Sequence, residues 1–457
     1  MKKSVLSVGL LAILGGAWCG GAWYTGKITE QKYIDYIQFS NQRLQQSFAD
    51  TGYSVQIKDA VLDRGFFSSN VHYQLEIKDE TFNEVIPFVG KIYHGPITLN
   101  DFSFALFSAD TEVEKTPETQ AYFADNGKNP LRTVVRMSYG QALKGKIDSD
   151  VVYKLEENGE ISWNITGKFN LNQEGYGKSE INASKFSFLD PKGVRIIAEN
   201  VETEGDFLPT QWKNIYQGKS KVTIKKIAVN KASEKEEITF DNINAEGNVK
   251  VKENFLDMDF DYDVKNISIN NKPITGLKLA GEINHISADA LNRLNELNED
   301  NRANTQLFEQ VQTEILANQP VLNITKLELF NDKGKALDGN LEMALNKDAP
   351  SLIESSKLFK AFNKFQINAK LEKKGVVQLA TNLSEVYGHI EPEQEIENTI
   401  QHYFSDAEQH NLLVIKENNA TFNLFLDKEK QKLIFNHQEL SEKEVVMAFF
   451  LLMMNMR

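Results

Sequence analysis

The chain has 457 residues and a net charge of −13, with 51 Lys and Arg against 64 Asp and Glu, and its pI is near 5.2. That balance opposes binding to nucleic acid, and it would repel anionic headgroups too unless basic residues cluster in space. With one cysteine, Cys19, there is no disulfide framework, while 41% hydrophobic residues and 10 prolines describe an ordered chain long enough for two or three domains.

Residues 1–27 open on Lys2 and Lys3 and continue with 23 uncharged residues before Lys27. At about 1.5 Å per residue that run crosses a hydrocarbon layer of roughly 30 Å with some tilt, so it predicts a membrane anchor. The basic flank keeps the N-terminus in the cytoplasm and puts residues 28–457 on the other side. Two readings compete. A cleaved export signal has the same layout, and Gly20, Gly21 and Ala22 offer small residues for cleavage. Lipid attachment at Cys19 needs a small residue before it, and Trp18 stands there instead. Trp18, Trp23 and Tyr24 near the outer end of the run suit the headgroup level and favour the anchor.

Residues 28–50 carry Tyr33, Ile37, Leu44 and Phe48 at mostly helical spacing, which predicts a helix whose apolar stripe packs on the body or pairs with a second copy. From Tyr53 the period becomes two, with Val55 and Ile57, then Val71, Tyr73, Leu75 and Ile77. Between these strands lie Arg64, Gly65, Phe66, Phe67, Ser68 and Ser69, a turn or bulge with an aromatic pair that is unusual there. His94, Gly95 and Pro96 follow; Gly-Pro interrupts both helix and ladder, so a tight bend or sheet-edge crossing is expected.

The segment ending in GAWYTGK (residues 21–27), the turn at 64–69 and the His94-Gly95-Pro96 step together resemble the YdgA-like family, bacterial inner-membrane-associated envelope proteins grouped under a domain of unknown function. The likeness in layout covers nearly the whole chain; the specific motifs lie in its first hundred residues. It implies a bacterial inner membrane, with residues 28–457 in the periplasm, and a β-rich exported region. It supplies no activity. Near the C-terminus such proteins often carry an Asn-Gly turn, and here Asn436 is followed by His437.

Alternating stretches at 134–139, 151–155, 161–165, 222–224, 249–251 and 258–264 predict antiparallel strands with one wet face, joined by turns such as 157–160. A seam between two β-rich regions, 51–210 and 211–457, is placed at Phe207, Leu208, Pro209 and Thr210. Helices are predicted over 287–298, 305–318 and 392–407, with a strand at 322–329. Ser441 and Glu444 form a capping-box pattern ahead of ten apolar residues, including Phe449, Phe450, Leu451, Leu452, Met453 and Met454. Ten are too few to span a bilayer. They predict a buried helix, a contact with a second copy or a contact with a greasy ligand. The fold class expected is α+β and β-dominated: extended antiparallel sheets, a few covering helices and one N-terminal transmembrane helix.

Catalytic motifs are scarce. Gly140, Gly145 and Lys146 have P-loop spacing, but Ile147 stands where Ser or Thr must hold magnesium. Seven histidines make no HExxH pair, there is no G-x-S-x-G elbow, and no metal or cofactor is expected. His94 reads as a fixed structural histidine or a general base, and Arg64 as a turn-locking salt bridge or a headgroup ligand. The sequence therefore points to a non-enzymatic, membrane-anchored protein that acts by binding or scaffolding and self-associates as a homo-oligomer. The alternative is a lipid-binding or lipid-transfer protein with an apolar β groove, which requires one sheet face to be apolar and uncovered.

Overall fold

The computed structural model describes residues 2–48, 52–79, 83–123, 127–154, 159–172, 174–212, 215–231, 236–296, 305–354, 357–388 and 391–441, together with Glu444. The apolar C-terminal stretch with Phe449, Phe450, Leu451, Leu452, Met453 and Met454 lies outside the described residues, as do residues 157 and 158 of the turn at 157–160. The chain divides into two compact units, residues 1–193 with 199–206, and residues 194–198 with 207–457. Strands make up 58% of the chain and helices 23%, so the class is α+β with β dominant.

The first unit begins with one unbroken helix, α1 (Lys2–Phe48), that joins the apolar run to the segment after it. Among the described residues no helix is long and apolar enough to cross a membrane; the side chains of residues 2–17, which carry most of the run, lie outside that set. The second half of α1 packs on the sheet, where Asn41 Nδ2 donates to Ile57 O at 2.9 Å and Ile57 N donates to Asn41 Oδ1 at 2.6 Å. An antiparallel meander follows: β1 (Ser54–Arg64), β2 (Ser68–Lys78) and β3 (Asn83–His94). A small hairpin of β4 (Ile97–Thr98) and β5 (Ser103–Phe104) interrupts it. The meander resumes with β6 (Phe107–Val113), β7 (Arg132–Met137), β8 (Leu143–Lys154), β9 (Glu160–Leu171) and β10 (Gly177–Leu189), each paired antiparallel with its predecessor. Gly140 lies in a turn and β8 follows it, so the P-loop spacing meets no helix. β11 (Val194–Pro209) contributes residues to both units and contains Phe207, Leu208 and Pro209 of the expected seam.

The second unit is another antiparallel meander: β12 (Tyr216–Lys231), β13 (Glu236–Lys252), β14 (Phe255–Ile269), β15 (Lys272–Ser287), β16 (Val321–Asn331), β17 (Gly334–Leu345) and β18 (Phe362–Glu372). Near its C-terminal end β19 (Val414–Lys416), β20 (Asn419–Asp427), β21 (Lys432–Phe435) and β22 (Gln438–Leu440) are added, with β20 paired to β18 on one side and to β19 and β21 on the other. Asn436 turns the last hairpin at φ +50°, and its Oδ1 accepts Asn423 N at 2.9 Å. Asparagine tolerates the left-handed region that an Asn-Gly turn would supply, and here its side chain also ties the hairpin across to Asn423 and Asn411.

Helices cap the strand ends. α2 (Ala288–Glu296) and α3 (Thr305–Ala317) match the predicted pair, and Ala288 closes a small core with Ile215 and Leu256. The short α4 (Ala349–Glu354) and α5 (Leu358–Ala361) bury Ala349 and Ala361 against Leu345. α6 (Lys373–Val386) was not expected; it packs on the β15–β17 end, with Gly375 against the Lys335 and Ala336 backbone and Asn382 Nδ2 donating to Ile274 O at 3.1 Å. α7 (Glu393–Gln409) answers the helix predicted over 392–407 and buries Ile396 and Phe404.

Between the capped ends the strands of the second unit present two unlike faces. On β14, Asp257, Asp259, Asp261 and Asp263 alternate with Met258, Phe260, Tyr262 and Val264, and the register carries that division outward. One face holds an ionic ladder, including Lys250–Asp259 at 3.1 Å, Lys252–Asp257 at 2.7 Å and Lys278–Asp263 at 3.5 Å. On the other, Phe260 lies opposite Gly281, Gly281 opposite Ile324, and then Leu341, Ile367 and Leu424 continue the row. Directly paired residues share a face, so this row crosses six strands, about 24 Å at the usual spacing. All of its side chains are half-buried rather than buried.

Candidate functional site

The site is built on the small-residue face of α1. Gly21, Ala22, Thr25, Gly26 and Thr29 recur at three- and four-residue steps, so they form one stripe. Ala22, Thr25 and Thr29 are buried, and the lack of bulk lets the sheet approach closely. A Cβ on Gly21 would stand 2.7 Å from Pro96 Cδ, and one on Gly26 would stand 2.5 Å from His94 Nδ1. Thr25 Oγ1 lies 2.9 Å from Gly95 O and equally far from Gly21 O in its own helix, so its single proton serves one or is shared between them.

The 64–69 turn closes on Gly65 N donating to Ser68 O at 2.9 Å. Arg64 reaches back to α1, where Nη1 meets Glu30 at 3.1 Å, Nη2 donates to Trp23 O at 3.2 Å, and the guanidinium lies 5.5 Å from the centre of the Trp23 ring. The aromatic pair has a purpose. Phe67 stacks on Trp18 with ring centres 4.8 Å apart, Phe66 meets Phe67 edge-on, and Trp18 Nε1 donates to Ile97 O at 3.3 Å. Ser68 begins β2, and Ser69 is buried beneath His94.

His94 ends β3 and is only 1% exposed. Its Nδ1 lies 3.1 Å from Phe66 O and its Nε2 2.8 Å from Ser69 Oγ. A carbonyl only accepts, so Nδ1 carries the proton and Nε2 accepts from the serine hydroxyl. Burial pushes the imidazole below its ordinary value of 6.5; the Phe66 carbonyl opposes that and the Arg64 charge adds to it, so His94 is neutral at pH 7. The Gly95–Pro96 bond is cis and turns the chain into the β4–β5 hairpin. A Ser–His contact is the start of a nucleophilic pair, but the second imidazole nitrogen faces a carbonyl instead of a carboxylate and Ser69 is 1% exposed. The geometry is that of a lock. Residues 18–30, 64–69 and 94–97 meet in it, and they include the three motifs singled out in the sequence.

A family profile described as a bacterial protein of unknown function (DUF945) matches residues 1–443. The chain belongs to this family. It is 23% identical to Protein YdgA of Escherichia coli over 401 residues, 77% of this chain and 78% of that one. It is 26% identical over 314 residues to an uncharacterized protein of Haemophilus influenzae, 64% of this chain and 85% of that one. YihF of Escherichia coli, also uncharacterized, is 23% identical over 193 residues, 40% of this chain and 39% of that one.

In this DUF945 chain the lock gives partners to residues that the sequence left without one: Thr25 and Gly26 inside GAWYTGK, Glu30 just after it, and Trp18 as a contact of the turn. The signal for them was the small-residue spacing inside GAWYTGK, which marks a helix face made for close approach. Beside the lock, the β4–β5 hairpin exposes Phe102 by 78% and Phe104 by 75%, and Phe102 sits at φ +49°. For a bulky residue that backbone region costs about 1–2 kcal/mol, and the exposed ring recovers none of it by burial. Elsewhere, a shallow depression of about 380 Å³ on β2, β3, β6 and β7 is lined by His72, Lys91, Tyr93, Asp110 and Arg132, with Arg132 and Asp110 already paired at 2.6 Å. His285 stacks on Phe255 and bonds to Asn318 O. Among the described residues, no three His, Cys, Asp or Glu side chains gather as metal ligands.

Proposed function

We propose that this protein is a single-span inner-membrane protein with residues 28–457 in the periplasm, and that it binds acyl chains on the apolar face of the strands of its second unit. The observation that carries the reading is the half-buried row Phe260, Ile324, Leu341, Ile367 and Leu424, backed by an ionic ladder on the opposite face. Its width of about 24 Å exceeds the roughly 15 Å that one acyl chain occupies in half of a 30 Å hydrocarbon core. Retention of the N-terminal helix is supported by the residues that cleavage after Ala22 would remove: Trp18 stacks on Phe67 and donates to Ile97 O, and Ala22 is buried against the folded body. Binding rather than catalysis is supported by the closed Ser69–His94 pair. A self-associating scaffold is the other reading, and the apolar segment it leans on lies outside the described residues.

Native mass spectrometry of the full chain released into mild detergent tests the proposal. Bound phospholipid is expected, and Phe260→Asp together with Ile324→Asp should remove it, while Asp261→Asn on the ionic face should not. A lipid-free wild type, or lipid that persists in the double variant as it would around the anchor alone, rejects the acyl-chain face. A lipid-free dimer would favour the scaffold.

A further inference from the structure

Between Lys3 and Trp18, the first described side chain of α1 that touches the folded body, lie 14 uncharged residues, 4–17. At about 1.5 Å per residue they rise roughly 21 Å, about 9 Å less than a hydrocarbon core of about 30 Å. A helix that crosses the membrane must therefore use about six more residues, 18–23. Those residues are not free: Trp18 holds Phe67 and Ile97, and Gly21 holds Pro96. The length of the span thus draws the start of the β4–β5 hairpin down to the outer boundary of the bilayer.

Among the described residues of the first unit, the large apolar side chains with the greatest exposure lie on that hairpin. Phe102 and Phe104 project at 78% and 75% exposure, with Ile97 and Leu99 beside them. Exposed apolar side chains gathered in one place mark an interaction surface, and aromatic rings suit the headgroup level. The side-chain polar atoms of the hairpin are paired with one another and with neighbouring strands, Asn100 Nδ2 donating to Ser108 Oγ at 2.9 Å. Asp101 accepts from Thr98 Oγ1 at 2.6 Å and from Ser103 Oγ at 2.8 Å, and it pairs with Arg136, so its charge enters no lipid unpaired. Phe102 adopts a left-handed backbone at φ +49°, which places its ring outside rather than on the sheet.

We propose that residues 97–104 form a finger that inserts Phe102 and Phe104 into the outer leaflet of the membrane that α1 crosses. The proposal rests on the anchor reading above. It makes the lock at His94 the joint that fixes the finger to the helix, so that the sheet meets the bilayer at two points instead of swinging on one.

The test uses the full chain with Cys19→Ala and Phe104→Cys, labelled with an environment-sensitive fluorophore and reconstituted in vesicles of phosphatidylethanolamine and phosphatidylglycerol. Brominated lipid should quench the label and aqueous iodide should not. Quenching by iodide alone, in a protein that resists alkaline carbonate extraction, overturns the finger and leaves the anchor standing. Release of the chain by carbonate overturns the anchor and the finger with it. Shielding from both quenchers that grows with the protein-to-lipid ratio assigns the surface to a second copy and also overturns the proposal.

Discussion

At the scale of the residue, His94 is held by two hydrogen bonds and has no room for hydration. Its folded pKa lies below 6.5, chiefly through burial, so in that window the unfolded chain binds more protons than the folded one. Stability is therefore complete above about pH 6.5 and falls as the pH drops through the lower folded value. Replacing His94→Gln should cost about 1–3 kcal/mol near neutral pH, since Ser69 and the Phe66 carbonyl lose well-placed partners. The same change should flatten the acid limb. Denaturant midpoints of both proteins in detergent, measured from about pH 7.5 down to about pH 5, check this; equal slopes in the two would mean that His94 does not set the acid sensitivity.

At the scale of the element, α1 and the sheet meet through glycine and threonine rather than through large apolar side chains. Such a contact is strict about size. Gly26 faces the His94 ring and Gly21 faces Pro96, so neither side offers space into which the helix could shift. Gly26→Val should cost about 1–3 kcal/mol by overpacking and should loosen the helix from β1 and β3. Lowered thermal stability together with new proteolysis near the 49–53 junction is the expected outcome, with Lys27→Val as an exposed control. An unchanged melting temperature and digestion pattern would mean that α1 is not docked as described. The opposite situation holds in the second unit, where helices cap only the strand ends and the middle rows keep part of their apolar surface accessible.

At the scale of the whole molecule, stability comes from strand pairing and from burial in several small clusters. Cross-strand ion pairs such as Lys250–Asp259 and Lys278–Asp263 are partly exposed, and pairs of that kind contribute about 0–1 kcal/mol each. They serve solubility and register more than stability. The lone Cys19 is free, so a reducing agent should leave the melting temperature of the full chain unchanged. Calorimetry with and without dithiothreitol checks this, and a fall on reduction would reveal a Cys19 bridge between two copies.

The alternation of the sequence by itself determined a β-dominated, antiparallel protein, because a strand with one wet face must place apolar residues at every second position. The turn at 64–69, the bend at His94-Gly95-Pro96 and the late helices were legible for the same local reason. α6 escaped notice because Gly375 and the β-branched pair Val376 and Val377 weaken its helical signal, and packing against Lys335 and Ala336 is what holds it. The lock was legible only as separate motifs. Thr25 and Gly95 are 70 residues apart, and nothing local says that one meets the other. The acyl-chain face likewise depends on register: each strand shows its own alternation, but only pairing decides that Phe260, Ile324, Leu341, Ile367 and Leu424 fall in one row. Period is a property of neighbours along the chain, whereas convergence and register are set by contacts across it, and those only the tertiary structure decided.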